Sequence, residues 1–307
     1  MVWGVDGGGT STRGIAQLGQ DCYTDIMSAS ASNILVVGQD AAFAAMDAVL
    51  DRLETSVALN SGSGLLGLAG CDRAAVRQAW REYCLKRGLK RIWITGDYWL
   101  PWANFTHGED GLVAILGTGS VVFGLHHTHT IRLGGYGWKL GDPGSGLSVG
   151  QLAVKKAVQS WEGIEEPSVL VEKGLAFFGV QSMVDVMERL YEPAYPLRQL
   201  ADFAPFVFEA AAQGDEVAEK VLLEERSRIL EMVHTAIDKL GLSAGSVGLS
   251  GGMSRLWHPY LQNRLGILKN GAHFELITRQ AVYGALWLAE KWNQERRPYD
   301  TQEHYSQ

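Results

Sequence analysis

Cysteine is nearly absent: the 307 residues hold three, Cys22, Cys71 and Cys84, with no CxxC spacing among them. An odd number without ligand spacing argues against a disulfide framework and a structural zinc site, and it suits a reducing cytoplasm. No apolar run reaches the roughly 18 residues needed to span a bilayer. The first residues also lack a charged segment followed by a hydrophobic one, so neither a membrane partner nor a secretory leader is expected. Positive charge is not in excess: 27 Lys and Arg stand against 34 Asp and Glu, a formal net charge of −7. With no basic cluster to offset that balance, nucleic acid is excluded as a partner, and the ten tryptophans are not read as base-stacking platforms.

What is present is the composition of a soluble globular protein, 46% apolar and 20% charged, on a chain long enough for two domains of about 150 residues each. Its most distinctive stretch is GVDGGGTSTRGIAQL, residues 4–18. Val2, Trp3 and Val5 read as a buried strand, and Thr12, Gly14, Ala16 and Leu18 continue in an extended pattern beyond the glycines. Strand, glycine turn, strand is a hairpin. Three glycines pack nothing and lose the most freedom on folding. They do let another group approach the backbone, and a concave set of N–H donors binds anions, phosphate above all. A dinucleotide fingerprint would need a helix after the glycines, and a Walker loop would need Gly-Lys-Ser/Thr; neither is present. A turn without a role is the plain alternative. Asp6 before the glycines and Thr10 after them favour phosphate and metal.

Further along, a strand is expected around Cys22–Ala29 and a helix from Gln39 to Ala58, with Phe43, Met46, Leu50, Leu53 and Val57 on one stripe. GLLGLA (Gly64–Ala69) reads as a buried strand. Asp72 is the expected N-cap of a helix whose inner face carries Val76, Trp80 and Tyr83. LKRIWIT (Leu89–Thr95) is a further strand, ending at Gly96-Asp97. The opening pattern then returns: GLVAILGTGSVVFGL (Gly111–Leu125) is again strand, glycine turn with hydroxyls, strand. Later come a long helix near Asp215–Leu240, a strand–glycine element VGLSGGM (Val247–Met253) and a closing helix Gln280–Trp292 that can pack back on the first half. The polar tail after Trp292 is expected to fray. The boundary is placed near residue 116, giving an N-terminal domain 1–116 and a C-terminal domain 117–307. A duplication in which each half supplies a phosphate-gripping hairpin is the pattern of actin-like ATPases and sugar kinases.

In this order DGGGTSTR, GDYW, LGTGS, GGYGWKLGDPGSG (Gly134–Gly146) and LSGG resemble the BadF/BadG/BcrA/BcrD-type ATPases, and within them the kinases of N-acetylglucosamine and related hexosamines. The match spans about Val2 to Trp292. The resemblance implies an α/β fold of two actin-like (ribonuclease H-like) domains, mixed sheets flanked by helices, with an ATP cleft between them. It implies that Gly7, Gly8, Gly9 and Thr10 cradle the β- and γ-phosphates, that Asp6 holds Mg²⁺ through water, and that Gly117, Thr118 and Gly119 grip from the other domain. Gly251 and Gly252 would lie along the adenosine, Asp97 would be the catalytic aspartate, and Asn33 and Asp142 would bind the sugar. One departure stands out. The family's GDEGS reads GDPGS here, and Pro143 removes a carboxylate and a backbone donor.

Each assignment has a structural rival. Asp6 and Asp97 could cap turns, Asn33 could serve only an Asx turn, and Asp142 could start the helix read over Gly146–Trp161. Trp99, Trp102 and Trp138 are apolar bulk by default; because Trp138 falls inside the resembling Gly134–Gly146 segment, stacking on a pyranose face is its functional alternative. His126, His127 and His129 fall in a polar turn where strand alternation separates them, which disfavours a metal site.

The implied chemistry is phosphoryl transfer from ATP to a sugar hydroxyl, the 6-hydroxyl of N-acetylglucosamine first, with glucosamine, N-acetylmuramic acid or glucose as alternatives. It asks for in-line geometry, neutralised charge and a base for the acceptor's proton. Mg²⁺ needs only one or two carboxylates, and Asp97 is the candidate base. A homodimer is implied by the resemblance. Two other classes share the fold. ATPase activators of dehydratases need grouped, accessible cysteines for an iron–sulfur cluster, which Cys22, Cys71 and Cys84 do not offer. Sugar-responsive repressors add a DNA-binding domain, for which a hairpin starting at residue 4 leaves no room.

Overall fold

A computed structural model describes residues 1–137, 139–192, 196, 199–243, 245–262 and 272–300. The chain divides into two compact units, Met1–Asp110 with the segment from Ile277 onward, and Gly111–Leu276.

The first unit opens with β1 (Val2–Gly7), β2 (Ser11–Gly19), β3 (Cys22–Tyr23) and β4 (Met27–Ser30), followed by α1 (Ile34–Val37), α2 (Gln39–Glu54), β5 (Ser63–Leu68), α3 (Ala74–Lys86), β6 (Ile92–Gly96) and α4 (Trp99–Thr106). Its sheet runs β3-β2-β1-β5-β6, with β4 also on β2. β1 and β2 are antiparallel, whereas β1, β5 and β6 are parallel. α2 buries Met46, Val49, Leu50 and Leu53, the stripe the 3.6-residue period anticipates.

Three details depart from expectation. The Cys22–Ala29 strand is two short ones, because Thr24 turns inward and exchanges hydrogen bonds with Ala16 through its own N–H (2.9 Å) and Oγ1 (3.1 Å). Asp72 does not cap α3; Arg73 holds that position without a side-chain bond, and Asp72 instead accepts from Tyr98 Oη at 2.7 Å. The tail is anchored as far as Asp300: Trp93 Nε1 donates to Pro298 O at 3.0 Å, and Asp300 accepts from Arg81 and from Ile94 N, both at 2.8 Å.

The second unit comprises β7 (Gly111–Leu116), β8 (Ser120–His126), β9 (His129–Gly134), α5 (Gly146–Trp161), α6 (Leu170–Phe178), α7 (Met183–Leu190), α8 (Leu200–Ala212), α9 (Glu216–Leu240), β10 (Ser246–Ser250), α10 (Ser254–Gln262) and β11 (His273–Leu276). Its sheet order is β11-β10-β7-β8-β9. β7, β8 and β9 are antiparallel neighbours, and β10 runs parallel to β7 and β11. The sequence β2-β1-β5-β6 of the first sheet is thus repeated as β8-β7-β10-β11, so the duplication suggested by DGGGT and LGTGS extends to whole sheets. The last helix, α11 (Val282–Gln294), belongs to the first unit, where Gly4 lies against Ala285 and Gly284 against Leu100 so closely that a Cβ on either glycine would collide.

The division falls at Asp110/Gly111 rather than at 116/117. A hairpin is bonded strand to strand, with Gly111 opposite Leu125 and Leu116 opposite Ser120. Cutting at its tip would leave β7 without its partner.

Candidate functional site

In the first unit the proposed catalytic residues collect at the carboxyl ends of the parallel strands. Gly7 pairs with Leu68, and Leu68 with Gly96, so Asp6 and Asp97 flank the same end of the sheet on either side of β5. Open α/β sheets bind ligands at such ends, because the strands stop there and the connecting loops leave a crevice. Both carboxylates are half-buried. Burial first, and then the neighbouring Asp97 charge, push the Asp6 carboxyl up from an ordinary 3.8 to about 7 against the opposing pull of Arg13. Two acids sharing one desolvated spot repel each other, and a cation there relieves both.

The glycine turn follows directly. Gly8 N donates to Ser11 O at 3.0 Å, and Ser32 N to Gly8 O at 3.2 Å. A Cβ on Gly7 would stand 2.4 Å from Leu68 Cδ2 and 2.6 Å from Ser32 Oγ. Ser32 is buried, and its hydroxyl has no partner among the described residues. A buried orphan hydroxyl costs about 1–3 kcal/mol unless something bonds it. Its position beside Gly7 fits an oxyanion in the turn, and the oxygen donors of Asp6 and Asp97 suit a hard cation such as Mg²⁺. Gly9 and Thr10 complete the turn, with Thr10 exposed. Asn33, next to Ser32, caps α1: its Oδ1 accepts from Leu35 N at 3.0 Å. That is the Asx-type role, and it leaves the amide Nδ2 as the group able to donate to a ligand.

In the second unit Gly117–Gly119 is the tip of the β7–β8 hairpin, closed by Gly117 N donating to Gly119 O at 2.8 Å. The tip abuts the turn after β10. Gly251 has φ +96° and passes so near β7 that a Cβ would lie 2.2 Å from Leu116 O, while the position of a Cβ on Gly252 is open. Met253 N donates to Leu116 O at 2.9 Å. The two glycine segments therefore form one continuous backbone surface.

Asp142 is buried at φ +62°. Its Oδ1 accepts from Gly135 N at 3.0 Å. Burial raises its pKa, against the pull of backbone N–H bonds from Gly137, Gly135 and Ser120. The carboxylate thus ties the 134–142 loop to the hairpin, and a Cβ on Gly119 would stand 2.8 Å from its Oδ2.

The loop around Pro143 is held by a residue that sequence reasoning missed. Glu225 of α9 is fully buried. Its Oε2 accepts from Gly144 N at 2.5 Å, and its Oε1 from Ser148 Oγ at 2.9 Å and Arg228 Nη1 at 2.8 Å. Ser120 Oγ donates to Pro143 O and Trp257 Nε1 to Gly144 O, both at 2.7 Å. The signal for Glu225 was available: an acid at a core position of an amphipathic helix, between Val221–Leu222 and Ile229, needs buried partners. Ser32 had no such signal, since a serine before an asparagine is ordinary in a turn.

Trp138 lies outside the described residues. Trp102 is core, and Trp99 packs edge-on against it at 5.4 Å. His126 and His127 are not separated as strand alternation suggested. His127 turns to φ +54°, and the two rings stack at 4.3 Å.

Two mixed sheets in a repeated order, each ending in a glycine turn beside acidic residues, make an actin-like α/β fold, and solved structures share that fold. The chain belongs to the BadF/BadG/BcrA/BcrD ATPase family, which matches residues 3–266. It is similar to the N-acetylmuramic acid/N-acetylglucosamine kinase of Clostridium acetobutylicum, 24% identical over 298 residues that cover 94% of this chain and 97% of that protein. It is also similar to the N-acetyl-D-glucosamine kinase of Dictyostelium discoideum, 26% identical over 255 residues, 78% of this chain and 80% of that protein. A candidate N-acetylglucosamine kinase of Chromobacterium violaceum has the same fold, with a TM-score of 0.74 at 24% identity, covering 94% of this chain and 98% of the other.

Proposed function

We propose that the protein is an ATP-dependent kinase of an amino sugar, N-acetylglucosamine first, phosphorylating its 6-hydroxyl. The observation that carries this reading is the Asp6–Asp97 pair, two mutually repelling carboxylates at the strand ends on either side of β5, beside the Gly7–Thr10 turn. The relatives named as kinases of N-acetylglucosamine support the substrate class.

In this reading backbone N–H groups of Gly7–Thr10 and of Gly117–Gly119 bind the ATP phosphates, with Ser32 Oγ adding a donor, and Gly251–Gly252 lie along the nucleoside. Asp6 holds Mg²⁺, which when bound neutralises charge on the phosphates. Asp97 accepts the proton of the sugar hydroxyl as its oxygen bonds the γ-phosphorus and the bond to the β-phosphate oxygen breaks. Asn33, through Nδ2, and Asp142 orient the sugar. A cytoplasmic homodimer belongs to the same reading.

The buried thiols favour it over the ATPase-activator alternative. Cys71 and Cys84 are buried and their thiols are pushed up to about 12 by desolvation, whereas cluster ligation needs accessible thiolates.

The test is a coupled assay of Mg²⁺-dependent ADP release across hexoses and hexosamines, with Asp97→Asn beside the wild type. Preference for N-acetylglucosamine, reduced by about 10²–10⁴ in the variant, is the expected result. ADP release indifferent to every sugar, or surviving the substitution, overturns the reading.

A further inference from the structure

Asp142 is buried with its Oδ1 on Gly135 N, and its backbone stands at φ +62°. That left-handed conformation costs a residue with a side chain energy, even an aspartate. It persists where the surroundings over-determine it. On the far side of Asp142, Pro143 has no N–H to offer, so the next donor in the loop is Gly144 N. That donor goes to Glu225 Oε2 at 2.5 Å. Gly144 itself has φ +76° and lies so close to α9 that a Cβ would stand 2.3 Å from Ile229 Cδ1. The loop is thus seated on α9 two residues beyond Asp142. Glu225 is fully buried, and its Oε1 is fixed in turn by Ser148 Oγ at 2.9 Å and Arg228 Nη1 at 2.8 Å. The phosphoryl-transfer chemistry set out above makes no use of this acid.

We propose that Glu225 is a positioning residue for sugar binding: by holding Gly144 it fixes the direction in which Asp142 presents its carboxylate. This rests on the kinase reading, in which Asp142 orients the sugar, and it names the residue through which that orientation is set. Glu225 acts by reach more than by charge. Aspartate at this position keeps the charge but falls one methylene short of Gly144 N. Glutamine keeps the length: its carbonyl oxygen takes the Gly144 N–H, and its amide donates to Ser148 Oγ, a hydroxyl that also accepts. Arg228, about half exposed at 45%, then turns to solvent. The two conservative replacements therefore separate length from charge, and sugar affinity follows length.

Dissociation constants for N-acetylglucosamine are measured calorimetrically on the full chain for wild type, Glu225→Asp and Glu225→Gln. Val233→Ala, a buried core position of the same helix, controls for lost stability alone. Glu225→Asp is expected to weaken sugar binding about tenfold or more, the scale of one lost hydrogen bond to a charged group. Glu225→Gln and Val233→Ala should stay close to wild type. In an Asp142→Asn background the Glu225→Asp effect should largely vanish, because residues that act through one another are not additive. Equal affinities in wild type and Glu225→Asp, equal weakening by Val233→Ala, or effects that add in the double variant would each overturn the proposal while leaving the kinase reading in place. A wild type that binds no amino sugar would instead overturn the kinase reading, and the proposal with it.

Discussion

The backbone nitrogen of Gly144 donates to Glu225 Oε2 across 2.5 Å of fully buried space. This bond links α9 to the loop that carries Asp142 and Pro143. The family's glutamate is missing at position 143, and the carboxylate that holds this loop comes from a helix eighty-one residues further along the chain. Glu225→Ala strands the Gly144 N–H and removes the partner of Ser148. A loss of about 2–3 kcal/mol follows, read as a fall of several degrees in the melting temperature of the second unit. Unchanged melting would show that the bond contributes nothing net.

Asp6 makes stability depend on pH in a stated direction. Its folded pKa of about 7 lies above the ordinary 3.8, so between those values the native state binds more protons than the unfolded one. Stability from this group is present below about pH 4 and lost as pH rises through 7. Asp6→Asn removes that loss, so the variant's advantage in melting temperature should widen from pH 5 to pH 8 in metal-free buffer. Mg²⁺ should raise the wild-type melting temperature more at pH 8, where it need not displace a proton, and should leave the variant unmoved. A pH-independent difference would count against the shifted carboxyl.

Gly251 tests the contact between the glycine segments of the second unit. Its φ of +96° and a Cβ position 2.2 Å from Leu116 O leave no room for alanine. Gly251→Ala should cost more than about 1 kcal/mol and weaken ATP binding at least tenfold. Gly252→Ala, whose Cβ meets open space, should fold normally. Equal thermal stabilities of the two variants would refute the steric argument.

Asp300 tests the anchoring of the tail. Its carboxylate takes the Ile94 N–H of β6 and pairs with Arg81, and its N–H reaches Ile92 O at 2.9 Å. Asp300→Ala leaves the Ile94 N–H unbonded, at a cost of about 1–3 kcal/mol. Faster proteolysis after Gln294, with a lower melting temperature, is the expected outcome. Wild-type proteolysis rates would indicate that the tail is held by Trp93 and its neighbours instead.

The sequence by itself determined the repeated units of this protein and where their turns lie. Alternating and 3.6-residue apolar patterns are local, and so are glycine runs that admit no side chain. DGGGT, LGTGS and LSGG could therefore be read with their neighbours alone, and Asp97 could be placed at a strand end. Tertiary structure decided what depends on residues distant in the chain. It returned α11 to the first unit, because Gly4 and Gly284 make room for close contact there. It tied down a tail that composition alone reads as frayed, through Asp300 and Trp93. It brought Ser32 against Gly7, moved the acid of the Pro143 loop onto α9, and raised the Asp6 pKa through burial and, after it, the charge of Asp97. Hydrogen bonds and burial act through distance in space, and a linear pattern carries no record of that distance.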